Sequence, residues 1–235
     1  MKNIINHKII LVLVVSFCSL LNAADNHLEF SFVKTDGNTD STVISGKLKT
    51  KKELSSKDSF KAEAYVLYNK TDNKTSANQY RLEFDYNHLL TDRLYTYLGM
   101  AFVKDELSEY DYRLNIGPGF GYKVLNNDIH KLDLEGGINY AYDKYSEKSN
   151  ESYVATETKL NYEYKVSNNT SFKQMLNYLQ SLKESETYFL TSETALQVKM
   201  VENLSMALSY RVDYTNDTVK EKTDKKFLTS IIYDF

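Results

Sequence analysis

The sequence predicts an all-β fold: a transmembrane, antiparallel, up-and-down β-barrel of about twelve strands that follows a cleaved signal peptide. Three observations predict it. The chain ends on an alternating segment whose last residue is Phe235, long segments alternate apolar and charged residues, and the connections between these segments alternate short and long. Barrels of this kind belong to the bacterial outer membrane, which is the location that the pattern predicts.

The C-terminal segment indicates how the barrel closes. Phe227, Thr229, Ile231, Tyr233 and Phe235 share one face of the last predicted strand. An open sheet edge in hydrocarbon leaves each N–H and C=O group unpaired at a cost of several kcal/mol, so this strand must pair with the first one. We expect the same strand to present Phe235 to the barrel-assembly machinery. A soluble, secreted β-sandwich that ends on a strand is the alternative that this segment alone leaves open.

The N-terminus has the layout of a secretory signal peptide, which we place at residues 1–23, leaving 24–235 as the outer-membrane β-barrel. Lys2 and Lys8 come before an apolar stretch that runs to Leu21, and cleavage is expected near Ala23. The stretch is shorter than the about 20 residues that a membrane-spanning helix needs. The single cysteine, Cys18, falls within the signal peptide, so we expect neither disulfides nor thiolate metal sites in the mature chain.

The composition favours strands and a membrane surface. The chain has 20 Tyr and 11 Phe but no Trp. Tyrosine suits a position that is apolar on one side and wet on the other, as in the aromatic rows at both rims of a barrel, although it is also a good strand former. We therefore expect outer-membrane lipids as partners. No run of basic residues indicates a nucleic-acid partner.

Alternation with a period of two marks the predicted strands. From Tyr80 onward, aromatic and apolar residues share one face, and Arg81, Glu83 and Asp85 share the other. The pattern is weaker in the Lys-rich segment 43–51, in 94–103, which is apolar on both faces, and in 172–181. These segments make the strand count less definite than the fold.

Short polar turns alternate with longer charged loops. The short turns are predicted near Ser55, at Thr91-Asp92, at Asn126-Asn127, at Asn168-Asn169 and at Glu202-Asn203. Outer-membrane barrels have tight periplasmic turns and longer outside loops. Five turns and six outer connections give twelve strands, and ten is the alternative count.

The charged residues on the opposite face of these strands are the candidate lumen-facing residues. They carry both signs, so a row of ion pairs could cross a wet interior. The candidates are Arg81, Glu83, Asp85, Arg113, Lys123, Glu135, Glu157, Lys159, Glu163, Arg211 and Asp213. A twelve-strand interior is wider than the eight-strand case that side chains just fill and narrower than an open porin. Both a narrow pore and a sealed barrel fit this pattern.

Pro118 interrupts one predicted strand and removes a backbone donor from its ladder. Gly117, Gly119 and Gly121 flank it on the predicted lumen face. We expect a bulge or a sharp coil here that admits bulky side chains from across the interior.

Four short motifs, in this order, resemble the salt-induced outer-membrane protein family, a bacterial family whose domain has no assigned function. They are Gly-Asn-Thr-Asp at 37–40, Leu-Thr-Asp-Arg-Leu-Tyr at 90–95, Arg-Leu-Asn-Ile-Gly-Pro-Gly-Phe-Gly-Tyr at 113–122 and Leu-Asp-Leu-Glu-Gly-Gly at 132–137. The resemblance extends over essentially the whole mature chain. It implies an outer-membrane barrel and supplies no catalytic residue.

Neither enzymatic chemistry nor a cofactor is predicted. Barrel-wall phospholipases resemble one another in a His-x-Ser pair on one strand face, but His88 and His130 are followed two positions on by Leu90 and Leu132. Acidic loop residues lack the regular spacing of a metal site. The remaining hypotheses are a narrow pore for ions or small polar solutes, an osmotic-response structural barrel, and a sealed or adhesive barrel with ligand-binding loops. An outer-membrane hydrolase is the least favoured class.

Overall fold

The computed structural model describes residues 24–35, 41–71, 74–105, 110–145, 149–216, 218 and 222–235. Within them, twelve antiparallel strands form a closed barrel in which each strand pairs with the next and the last pairs with the first. This confirms the predicted barrel with twelve strands. The strands are β1 (Asp25–Thr35), β2 (Ser41–Glu53), β3 (Asp58–Thr71), β4 (Lys74–Leu89), β5 (Leu94–Asp105), β6 (Tyr110–Asn126), β7 (His130–Tyr145), β8 (Glu151–Lys165), β9 (Thr170–Ser181), β10 (Tyr188–Val201), β11 (Leu204–Thr215) and β12 (Thr223–Asp234).

The outer face of the wall is apolar, which is the arrangement that a lipid environment requires. Large apolar side chains such as Phe120, Ile138 and Ile231 are exposed on it. On the inner face, polar side chains such as Ser31 and Asn139 are buried. The described residues contain no helix long and apolar enough to cross a membrane. The predicted signal peptide and the motif at 37–40 lie outside the described residues.

The two ends of the barrel differ in their connections. At one end, which we call the turn end, the strands are joined by tight polar turns. The Thr91 hydroxyl accepts a hydrogen bond from the Leu94 N–H at 2.9 Å, and the Asn127 side chain accepts one from the His130 N–H at 2.7 Å. Such bonds satisfy backbone donors within the turn. The other end, the loop end, carries the longest connections, those that precede β2, β8, β10 and β12, although β3 and β4 are joined there by only two residues.

Aromatic rings form a row near each end of the outer wall. At the loop end, Tyr188 lies 5.8 Å from both Tyr178 and Tyr214, measured between ring centroids. At the turn end, the His130 ring stacks on Tyr164 at 4.8 Å. Rings of this kind anchor a barrel at the two membrane interfaces.

The glycines of β6 make room for tyrosines from the neighbouring strand. A Cβ at Gly119 would lie 2.3 Å from Cζ of Tyr97, and one at Gly121 would lie 2.1 Å from Cζ of Tyr95. The expectation that the glycines admit bulky side chains is therefore correct. The side chains come from β5, however, and not from across the interior.

The expected bulge at Pro118 is wrong. Pairing of β6 with β5 runs through Pro118 without a register shift. The ladder to β7 omits Gly117 and Pro118 and resumes at Gly119 in the same register, so the missing donor affects only this side. The register shifts of β6 lie instead near its two ends, at Tyr110/Tyr112 and Lys123/Leu125.

The closing seam between β1 and β12 is only partly paired. Its ladder joins residues His27 to Ser31 with Ser230 to Asp234. Asn26 and Phe235 add two reciprocal backbone hydrogen bonds of 3.0 Å at the turn end. The other ladder of β1, to β2, covers the whole of β1. The loop-end half of this one seam therefore lacks ladder pairing.

Candidate functional site in the barrel interior

Two cavities lie in the described part of the barrel interior, one toward each end. The turn-end cavity has a volume of about 860 Å³ and the loop-end cavity about 300 Å³. Five side chains line both cavities and so lie between them: Arg81, Glu83, Asp85, Lys159 and Asn177. We call these five residues the central layer. Any solute that crosses the interior from one end to the other has to pass it.

Most of the candidate lumen-facing residues line one or both cavities. Arg113, Glu157 and Asp213 line the loop-end cavity, and Glu135, Glu163 and Arg211 line the turn-end cavity. Arg81, Glu83, Asp85 and Lys159 belong to the central layer. Lys123 lines neither of these two cavities; it lies opposite Asp133 in the β6–β7 ladder, near the turn end of β6.

Four carboxylates surround Lys159 of the central layer: Glu83 and Asp85 within the layer, and Glu157 and Glu135 next to it. Nζ of Lys159 lies 3.5 Å from Oε1 of Glu157 and also interacts electrostatically with Glu83, Asp85 and Glu135. Of these, Glu83 also forms an ion pair with Arg81, at 3.3 Å between Nη1 and Oε1. The acids outnumber the bases around Lys159. The middle of the interior is therefore locally negative.

Hydrogen bonds fix the position of one of these carboxylates. The side-chain amide of Asn139 donates to Glu157 at 2.8 Å, and that of Asn177 donates to its other oxygen at 3.0 Å. Glu157 thus has three partners from three strands. A carboxylate held in this way presents its charge at a fixed place in the passage.

A second group of charges forms a continuous chain of ion pairs behind the closing seam. Lys47 lies 3.3 Å from Glu29 and 3.2 Å from Glu193, and Arg211 lies 3.4 Å from Glu193. Arg211 also pairs with Asp213 at 3.0 Å, which in turn pairs with Lys226 at 2.9 Å. We call these six residues the seam chain. Because it links β1 and β2 to β10, β11 and β12, it spans the closure on the lumen side.

Sequence reasoning found only Arg211 and Asp213 of the seam chain. Glu29 and Lys47 lie in β1 and β2, where neighbouring lysines obscure the alternation. Glu193 and Lys226 do follow the alternation and could have been included on that signal. Their convergence depends on barrel closure, which brings the two ends of the chain together.

A third group is a buried ion pair in the loop-end half. Arg113 donates to both oxygens of Asp143, at 2.6 and 2.5 Å. The guanidinium lies 3.7 Å from the ring centroid of Phe189, and the Tyr153 hydroxyl donates to Asp143 at 3.1 Å. Asp143 is fully buried. The pair is therefore enclosed by protein and fixes β6 to β7.

Among the described residues, His88 and His130 do not assemble a nucleophile with a base. Nδ1 of His88 lies 2.7 Å from Oδ1 of Asp58, but the Ser55 hydroxyl donates to the other oxygen of that carboxylate and not to the imidazole. His130 contacts the Tyr162 hydroxyl at 3.0 Å. Hydrolysis by a serine requires hydroxyl and imidazole within hydrogen-bond reach. Across the described ranges, no three His, Cys, Asp or Glu side chains group as metal ligands.

Comparison with known proteins assigns the family. The model of a protein family of unknown function, DUF481, matches residues 28–235. The chain belongs to the DUF481 family. A curated relative of this DUF481 protein is the uncharacterized protein YdiY of Escherichia coli (strain K12), which is 26% identical over 147 residues. The match spans 61% of this chain and 57% of the relative.

Solved structures with a fold similar to that of the DUF481 chain include an outer membrane channel and a porin. The COG4313 outer membrane channel from Pseudomonas putida F1 aligns with a TM-score of 0.56 at 12% identity, covering 91% of this chain and 95% of that one. The NanC porin aligns with a TM-score of 0.52 at 10% identity, covering 90% and 98%. These likenesses show the fold. With its closed wall and apolar outer face, the DUF481 chain is a bacterial outer-membrane β-barrel.

Proposed function

We propose that this barrel is a narrow, non-enzymatic pore for ions or small polar solutes. The observation that carries the proposal is the pair of interior cavities, open toward opposite ends and separated only by the five residues of the central layer. A wet passage lined by fixed charges selects solutes by size and charge. The solutes it admits are small because charged side chains from several strands converge on the middle of the interior.

The carboxylates in and around the central layer give the pore a preference for cations. Lys159 is surrounded by Glu157, Glu83, Asp85 and Glu135, so a cation that enters meets more negative than positive charge. Rings of acidic residues have this effect in cation channels. The preference is moderate because Arg81 and Lys159 offset part of the negative charge.

Planar-bilayer recording tests the proposal. Folded protein should give steady single-channel steps, with a reversal potential in a KCl gradient that favours K⁺. Lys159→Gln should shift the reversal potential further toward K⁺, and Glu83→Gln should shift it toward Cl⁻. Lys183→Gln is the matched control because Lys183 lies in an outer connection, where its side chain is exposed. Electrical silence from protein shown to be folded would contradict the pore.

A sealed structural barrel is the second candidate, and the seam chain favours it. Six charges joined by distances of 2.9–3.4 Å occupy interior space and hold opposite sides of the closure together. Such a barrel would support the envelope under osmotic change, in line with the resemblance to the salt-induced family. The test compares the growth of a deletion strain after an osmotic upshift with that of the same strain carrying this protein. Restored growth, with a protein that is silent in planar bilayers, separates this role from transport.

A further inference from the structure

The loop-end half of the closing seam leaves two strand edges without ladder partners. The β1–β12 ladder ends at Ser31 and Ser230. Beyond it, residues 32–35 still pair with β2, and residues 223–229 still pair with β11. Both segments are therefore strands that are paired on one side and have no ladder partner on the other. The ladder between β1 and β12 has a gap at this place.

The free backbone groups can be assigned by alternation. Asn26 and Phe235 exchange both of their backbone hydrogen bonds, and Asp234 donates its N–H to Asn203 on the other side. In an antiparallel ladder the direction alternates at each residue. The last ladder pair, Ser31 and Ser230, is a non-hydrogen-bonded pair, so the Phe32 N–H still donates to the Thr229 carbonyl beyond it. The Phe32 carbonyl, the Thr229 N–H and both backbone groups of Phe227 thus point into the gap.

The gap joins an apolar surface to a polar interior. On the outside, Phe32 is 53% exposed and Phe227 is 60% exposed. On the inside, Val33 and the buried Leu228 flank the gap, and Lys226 of β12, which pairs with Asp213 in the seam chain, comes next toward the loop end. Free N–H and C=O groups at hydrocarbon depth need polar partners. What occupies the gap must therefore be polar toward the lumen and apolar toward the membrane.

We propose that this gap is a lateral portal, through which the polar head of an amphiphile from the outer leaflet enters the lumen while its tail stays in the bilayer. The head bonds to the free Phe32 carbonyl, the Thr229 N–H and the backbone groups of Phe227. The seam chain lies behind the portal and keeps the rest of the closure together. This site differs from the axial passage through the central layer, and it exists whether or not that passage conducts.

An amphiphile fits the gap better than a strand from a second chain. The free edge of β1 described here is only four residues long, from 32 to 35, whereas strands usually have five to six residues. A second chain would also need to leave β1 and β12 paired at their turn ends. A lipid head group needs a gap only as wide as itself. Its apolar tail can pack against the exposed side chains of Phe32 and Phe227.

Lipid-based labelling tests the portal. The probe is a phospholipid with a maleimide on its head group, mixed into vesicles that contain the folded full chain with Cys18→Ser and one new cysteine. Val33→Cys lies on the lumen face at the gap by alternation. Ala101→Cys is the matched control: it lines the loop-end cavity, and its strand is paired on both sides. We expect the lipid to label Val33→Cys at least severalfold faster than Ala101→Cys. Equal rates for the two sites would overturn the portal.

Disulfide trapping tests the gap itself. In continued register, Val33 would face Leu228, two positions beyond the paired Ser31 and Ser230. Under mild oxidation, Ser31→Cys/Ser230→Cys should cross-link rapidly within one chain, and Val33→Cys/Leu228→Cys should cross-link slowly. Equal rates would show a seam paired along its whole length and would refute the proposal. Cross-linked dimers through position 33 would show a second copy at the gap and would equally refute it.

Discussion

At the residue scale, the buried Arg113–Asp143 ion pair should be highly sensitive to the loss of either partner. Both side chains are almost completely buried, and the fork of the guanidinium meets both carboxylate oxygens. Removing one partner of a buried pair leaves an uncompensated charge, which typically costs about 3–5 kcal/mol. Replacing both partners with apolar residues removes the charge altogether.

Arg113→Met should therefore lower the free energy of unfolding by about 3–5 kcal/mol. Arg113→Met/Asp143→Leu should recover most of that loss, because no buried charge remains. The control is Lys49→Met, since Lys49 pairs with Glu63 at 3.0 Å but is half exposed, and such pairs contribute at most about 1 kcal/mol. Urea unfolding of the protein in lipid vesicles measures all three. A double variant as unstable as the single one would contradict this account.

Glycine positions on the inner and outer faces should respond differently to a methyl group. At Gly119 a Cβ would collide with the Tyr97 ring at 2.3 Å, whereas nothing lies within 4 Å of a Cβ at Gly136. We expect Gly119→Ala to destabilise the barrel by about 1–3 kcal/mol, which is the usual effect of overpacking. Gly136→Ala should be neutral or slightly stabilising. Thermal unfolding followed by gel mobility compares them, and equal effects would mean that Tyr97 moves away without loss.

At the element scale, β12 is paired on both sides only near its C-terminal end. Ile231 pairs with Phe30 of β1, and alternation directs its N–H toward that strand. The N–H of Thr229 points the same way but into the gap. Proline lacks this N–H, so it is tolerated where no ladder bond exists.

Ile231→Pro should therefore prevent closure, and Thr229→Pro should still give a folded barrel. The yield of heat-resistant, folded protein in outer-membrane fractions measures the difference. Comparable failure of both variants would show that Thr229 is hydrogen-bonded after all.

The alternation of the sequence describes poorly those strands whose inner face carries apolar side chains. In β5, Tyr95 and Tyr97 face inward and are buried, so the strand is apolar on both faces. The glycines of β6 are what allow this. In β9, Met175 and Leu179 face inward beside Lys173 and Asn177, and Phe172 and Tyr178 face lipid. Alternation marks strands well where one face is ionic, and poorly where the interior is filled with apolar side chains.

At the scale of the whole molecule, the difference between the two ends predicts an orientation. The turn end should face the periplasm and the loop end the outside. The cysteine of Lys183→Cys, in the loop between β9 and β10, should react with a membrane-impermeant maleimide on intact cells. The cysteine of Asp92→Cys, in the turn between β4 and β5, should react only after the outer membrane is permeabilised. The opposite pattern would reverse the assignment of the ends.

Much of the interior could be predicted from the sequence, but its grouping could not. Alternation identified charged residues of the central layer, such as Glu83 and Lys159, because one face of each strand must be polar. It could not show that Lys47 meets Glu193, since the separation of two strands across a closed wall depends on strand number, tilt and register together. The partial pairing of β1 with β12 has no sequence signal at all: residues 32 and 229 are as suited to a ladder as residues 31 and 230.

The closing seam also sets how the chain reaches its folded state. Every other strand pair joins neighbours along the chain, whereas His27 and Asp234, which meet at 2.7 Å, are 207 positions apart. Local contacts form quickly, and contacts between distant segments form slowly because loop closure is entropically unfavourable. Eleven successive hairpins can thus assemble as a curved, unclosed sheet, and the rate of maturation is governed by one encounter between its two outermost edges.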